Sequence, residues 1–75
     1  LKDIVMSVLI IDRTERVKMS FRSKGTFPAN EFAAKYFDGG GHRNAAGGHS
    51  KETLDETVAK FKASIQLYKK ELQAI

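Results

Sequence analysis

The sequence predicts an α+β domain with a small β-sheet and two main helices packed on it. Three patterns carry this reading. Ile4–Ile11 is an almost unbroken apolar run rich in β-branched side chains, Val17–Ser23 alternates strictly between apolar and polar residues, and from Leu54 onward apolar residues recur at spacings of three and four. With 75 residues and no cysteine, the chain sits near the lower limit for independent folding, so its core must come from apolar packing without disulfides or a cysteine-held zinc. A composition of 41% hydrophobic and 29% charged residues is that of a folded domain rather than a disordered one.

Ile4–Ile11 has the pattern of a strand buried on both faces and is expected to be a central strand. Asp12–Arg16 is a polar connector of hairpin length without a glycine to fix the turn type. In Val17–Ser23 the apolar set Val17, Met19 and Phe21 packs inward, leaving Lys18, Ser20 and Arg22 on the other face. The plain reading of those three is a solvated face. Arg22, however, stands at the strand's end with Ser20 and Ser23 nearby and Lys24-Gly25 following, which suits a charge-assisted, forked grip on a phosphate.

Gly25–Pro28 breaks the strand, and either Pro28 at a first helical turn or Asn30 as a cap opens a short helix. Phe32, Ala33, Tyr36 and Phe37 share one side of it; the spacing makes these aromatics core residues before base-stacking ones. Gly48–Lys51 reads as a short, weak strand. Thr53 and Glu56 then form a capping box that opens a long helix, with Leu54, Val58, Phe61, Ile65, Tyr68 and Leu72 on one stripe. Two aromatics in fewer than three heptads suit docking on the sheet better than a coiled-coil seam.

The chemistry concentrates in Asp38–Gly48, where five glycines and two alanines surround His42, Arg43 and Asn44. Such a stretch reads as a binding loop, because bare backbone lets a ligand approach the main chain. Gly39 falls where a left-handed cap would end the short helix, but a cap explains one glycine and not five. No Gly-Lys-Ser/Thr follows for a phosphate loop, and Asn44 stands where a dinucleotide fingerprint needs glycine. A metal site on His42 with His49 or Asp38 matches no common ligand spacing. Charge follows the same half: residues 1–48 carry eight basic and five acidic residues, against five and four in the remainder, for a total of +4. Excess positive charge beside bare amides points to an anionic ligand.

Ser20-Phe21-Arg22-Ser23-Lys24-Gly25, followed by Gly39-Gly40-Gly41-His42-Arg43-Asn44-Ala45-Ala46-Gly47-Gly48, resembles the DHH-associated C-terminal domain of DHH-family phosphoesterases. The similarity is greatest to the branch of oligoribonucleases and adenosine bisphosphate phosphatases, often labelled exopolyphosphatase-related. It implies a module with a mixed sheet, joined to a larger N-terminal domain that holds two manganese ions and hydrolyses the phosphate ester in the cleft between them. The signature Asp-His-His is absent here, so residues 1–75 are expected to be one substrate-binding domain, inactive alone and without a metal or catalytic residue of its own. Carried over, the resemblance assigns Arg22 and Ser23 to a substrate phosphate, with Lys24 beside them. It makes Gly39, Gly40 and Gly41 the backbone loop and brings His42 across the cleft toward the scissile phosphate. Ala45, Ala46 and Gly47 would keep the wall thin, while Arg43 and Asn44 fall at variable positions and receive no role.

The expected partners are short RNA or a phosphorylated nucleotide and the DHH domain of the same chain, with a homodimer of the parent as a further expectation. The first residue is Leu1 rather than Met and a strand follows almost at once, which reads as a piece of a longer chain. No apolar run has the length of a membrane span and Ile4–Ile11 is too short for a signal-peptide core, so a cytoplasmic location is expected. Two other functions fit the sequence. One is a nucleic-acid module like the tRNA-holding C-terminal domain of alanyl-tRNA synthetase, although no broad lysine stripe is present. The other is an assembly domain dimerising through residues 53–75.

Overall fold

A computed structural model describes residues 6–73. Its elements are β1 (Met6–Asp12), β2 (Val17–Ser23), α1 (Ala29–Phe37), β3 (Gly40–His42), β4 (Ala45–Ser50) and α2 (Leu54–Gln73). The strands form one sheet in the order β1-β2-β4-β3, with every neighbouring pair antiparallel. The α+β architecture is the one expected, but the sheet is not mixed. β2 and β3 do run in the same direction, and β4 lies between them, so no parallel pair forms.

Among the described residues β1 is an edge strand rather than a central one, pairing with β2 alone. Its residues alternate: Met6, Val8 and Ile10 pack against the core, while Leu9 is 60% exposed on the opposite face. Ile4 and Val5 of the expected strand lie outside the described residues. β2 spans the predicted residues, and Val17, Met19 and Phe21 are fully buried. The β1–β2 connection closes as a hairpin, Arg13 N–H donating to Arg16 O at 2.9 Å.

Phe32 is the centre of the core. Its ring lies within 5.1–6.5 Å, centroid to centroid, of Phe21, Phe27, Tyr36, Phe37, Phe61 and Tyr68, so one side chain joins β2, both helices and the β2–α1 loop. α2 docks on the sheet as expected, with Phe61 stacked on Phe21 at 6.3 Å. The helix buries Thr57, Ser64 and Tyr68, whereas Leu54, assigned to the stripe, is 36% exposed. The side chain of Leu72 lies outside the described residues. Pro28, not Asn30, precedes α1, and Pro28 O accepts the helix's first bond from Phe32 N–H at 3.1 Å. Asn30 Oδ1 is instead buried without a partner.

At the start of α2 the capping box closes in full. Glu56 N–H donates to Thr53 Oγ1 at 3.1 Å, and Thr53 N–H and hydroxyl donate to Glu56 Oε1 at 3.1 and 3.0 Å. Those two bonds, the backbone one first, hold the Glu56 carboxyl below its usual value of 4.5. Thr53→Ala is expected to cost about 1 kcal/mol in a denaturation midpoint series. Because the folded value is the lower one, the stability Glu56 adds is present above the unfolded value and lost as pH falls through the folded one. The difference between the native chain and Glu56→Gln is therefore expected to shrink below about pH 4.

Candidate functional site

Both helices cover one face of the sheet, leaving the other face to the outward residues of the four strands. Register sorts these into transverse rows. Ser7, Arg22, Ala45 and His42 form the first; Leu9, Ser20, Gly47 and Gly40 the second; Ile11, Lys18 and His49 the third. No acidic residue occupies any of these positions. A groove of about 240 Å³ runs between β2 and β3, lined by Ser20, Arg22, Gly40, Ala45, Ala46 and Gly47. Arg22 and His42 thus stand in one row on either side of Ala45, their backbones two strand spacings or roughly 10 Å apart. His42 completes the row without lining the groove.

Gly40–His42 form a strand and not a loop, which corrects the sequence reading, and Gly39 precedes that strand. β3 and β4 form a hairpin turning at Arg43-Asn44, so the glycine amides are partly used in the ladder. The αL residue ending α1 is Asp38, at φ 50°, rather than Gly39. Gly39 is required for another reason: a Cβ there would sit 1.8 Å from Gly47 O and 2.7 Å from Gly48 Cα. Gly48 likewise has Phe37 Cβ at 2.9 Å, and Gly41 combines φ 144° with Ala45 O at 2.8 Å. Gly40 and Gly47 differ. A Cβ at Gly40 would meet nothing within 4 Å, and one at Gly47 would meet only Met19 O at 3.6 Å, so both would project into the groove without disturbing the fold.

Arg43 and Asn44 carry a structural task that the sequence did not reveal. Asn44 Nδ2 donates to Ser23 Oγ at 2.9 Å and to Gly25 O at 3.3 Å, and Arg43 Nη2 donates to Thr26 O at 3.0 Å. Backbone bonds reinforce this, with Ser23 N–H donating to Asn44 O at 3.0 Å and Ala29 N–H to Arg43 O at 2.7 Å. Ser23 Oγ donates to Phe27 O at 2.7 Å. The hairpin turn is thereby pinned to the β2–α1 loop, fixing the end of β2 that carries Arg22. The side chain of Arg22, like those of Lys18, His42 and His49, has no hydrogen-bond or ion-pair partner among the described residues. Lys24 is exposed in the pinned loop and does not line the groove.

The family model for the DHHA1 domain matches residues 1–71. The chain belongs to the DHHA1 domain family. Its structure is similar to the crystal structure of an exopolyphosphatase-related protein from Bacteroides fragilis, with a TM-score of 0.86 and 41% sequence identity. That match covers 97% of this chain and 22% of the other, so the DHHA1 chain spans about a fifth of the solved protein's length. No curated protein matches significantly.

A second concavity lies elsewhere on the DHHA1 fold. A hollow of about 280 Å³ lies among residues 12–16 and 51–54, but Asp12, Glu15 and Glu52 share its wall with Arg13, Arg16 and Lys51, so it favours neither sign of charge. Among the described residues no group of three His, Cys, Asp or Glu side chains could hold a metal ion. No helix among them is long and apolar enough to cross a membrane.

Proposed function

We propose that this DHHA1 domain is the substrate-gripping part of a DHH-family phosphoesterase of the oligoribonuclease and adenosine bisphosphate phosphatase branch. In this reading Arg22 holds a phosphate of short RNA or of a phosphorylated nucleotide, and His42 approaches it from across the row. Ser20, Gly40, Ala45 and Gly47 form the floor on which the ligand lies. The observation that carries the reading is the Arg22 side chain, without a partner among the described residues, over a groove whose two inner glycines have no packing reason to be glycine.

The resemblance places the two manganese ions, and the hydrolysis they would support, in a separate N-terminal domain, so in this reading the contribution of residues 1–75 is to bind and orient the substrate. An arginine in a forked contact with phosphate supplies about 1.5–3 kcal/mol, as charge-assisted hydrogen bonds do. Ser23, engaged with Phe27 O and Asn44, serves by holding the end of β2 in place and offers its remaining acceptor capacity to that network.

Arg22→Ala is expected to weaken binding of a 5′-phosphorylated dinucleotide by about tenfold or more, measured by calorimetry, with the fold unchanged by circular dichroism. Unaltered affinity would place the phosphate grip elsewhere and overturn the reading.

A further inference from the structure

The third row of the open face lies beyond the groove and is not used by a single gripped phosphate. Lys18 on β2 and His49 on β4 are register partners, four residues along each strand from Arg22 and Ala45. Four residues of strand span roughly 13 Å, a distance one phosphate cannot bridge. Between the two rows lie only Ser20 and Gly47, so nothing on these strands interrupts a path from Arg22 to Lys18. No acidic residue stands on the path, and among the described residues neither the Lys18 nor the His49 side chain has a partner to compete for it.

The flank of this path is apolar. Leu9 pairs with Ser20 and Ile11 with Lys18, and Leu9 is 60% exposed. An inorganic chain of phosphates would find no use for such a surface. A single-stranded nucleotide chain would, because its backbone can follow the cationic side chains while its bases cover Leu9 and Ile11 or stack on the His49 imidazole.

We infer that Lys18 and His49 form a second phosphate subsite, so that this face takes a nucleotide chain long enough to reach from Arg22 to Lys18. The inference rests on Arg22 as the first grip and adds a length requirement to it. A dinucleotide occupies the first row only, whereas a longer strand engages both.

The test compares a 5′-phosphorylated dinucleotide, a 5′-phosphorylated single-stranded hexanucleotide and an inorganic polyphosphate of similar length, each titrated into the 75-residue chain by fluorescence competition. The Lys18→Ala/His49→Ala double variant is expected to bind the hexanucleotide about tenfold more weakly and the dinucleotide unchanged. Lys18→Glu, at an exposed position, is expected to repeat the selective loss and guards against misfolding at His49. Leu9→Ser is expected to weaken the hexanucleotide alone.

If the double variant and Lys18→Glu bind the hexanucleotide as the native chain does, the second subsite is overturned, while a loss of both nucleotide ligands on Arg22→Ala would still uphold the grip. If Arg22→Ala leaves the dinucleotide unaffected, it is the grip that fails. Polyphosphate binding more tightly than the hexanucleotide, with no effect of Leu9→Ser, would overturn the assignment to a nucleotide chain. So would failure of the native chain to bind the hexanucleotide at millimolar concentration.

Discussion

Phe32→Ala is expected to lower the unfolding free energy by about 3–5 kcal/mol, the usual cost of removing a fully buried aromatic ring. A chain of this length has a total stability of only about 4–11 kcal/mol. The substitution therefore removes between about a quarter of that stability and all of it. The physical reason is the position of the ring: it has no exposed surface, and six other rings surround it, so the cavity cannot close by moving a single neighbour. Each edge-to-face contact adds about 0.5–1.5 kcal/mol beyond area burial, which places the expected loss toward the upper end. A urea series with Phe27→Ala beside it checks the claim, because Phe27 touches fewer rings and is slightly exposed. A cost below about 1 kcal/mol for Phe32→Ala would contradict the account of the core.

Gly39→Ala is the second large effect, and its cause is backbone crowding. The added methyl would lie 1.8 Å from Gly47 O and 2.7 Å from Gly48 Cα, both main-chain atoms of β4 that cannot rotate away. Either α1 or β4 must shift, and a loss of about 3 kcal/mol or more is expected, above the ordinary range for overpacking. Gly40→Ala and Gly47→Ala are the controls. With free space at both, their stability is expected to stay within about 0.5 kcal/mol of the native chain. Thermal denaturation of the three variants reads the contrast directly. Equal losses at positions 39 and 47 would mean that the inner glycines serve packing after all, removing an argument for the groove.

These glycines also show what could be read from the sequence and what could not. β2 was legible because one of its faces is buried and the other open, so apolar and polar residues alternate from Val17 to Arg22. The capping box was legible because Thr53 and Glu56 satisfy each other locally. β1 was misread as central because an apolar run signals two covered faces, and no described element covers the side of Leu9 and Ile11. β3 was invisible as a strand, since two of its three residues are glycines with no side chain to show a period. The left-handed cap fell on Asp38 because aspartate tolerates that conformation, leaving Gly39 free to meet its steric demand.

Of the candidate site, Arg22, Gly40, Ala45, Ala46 and Gly47 converge on one groove, and His42 joins their row. Gly39 and Gly41 are held by packing behind it. The clamp made by Arg43 and Asn44 could not be read from the sequence, because its partners are carbonyls of a loop some twenty residues earlier.

The central claim is that the open face of the sheet grips a phosphate through Arg22. The measurement that tests it most directly is a backbone-amide NMR titration of the chain with a 5′-phosphorylated RNA dinucleotide, beside Arg22→Ala and Gly47→Val. The account predicts that Arg22, Gly40, His42, Ala45 and Gly47 shift together in the native chain. Both variants should keep the native spectrum elsewhere and lose the response, one by removing the charge and the other by filling the floor. Shifts confined to residues 12–16 and 51–54, or a response unchanged in both variants, would contradict it.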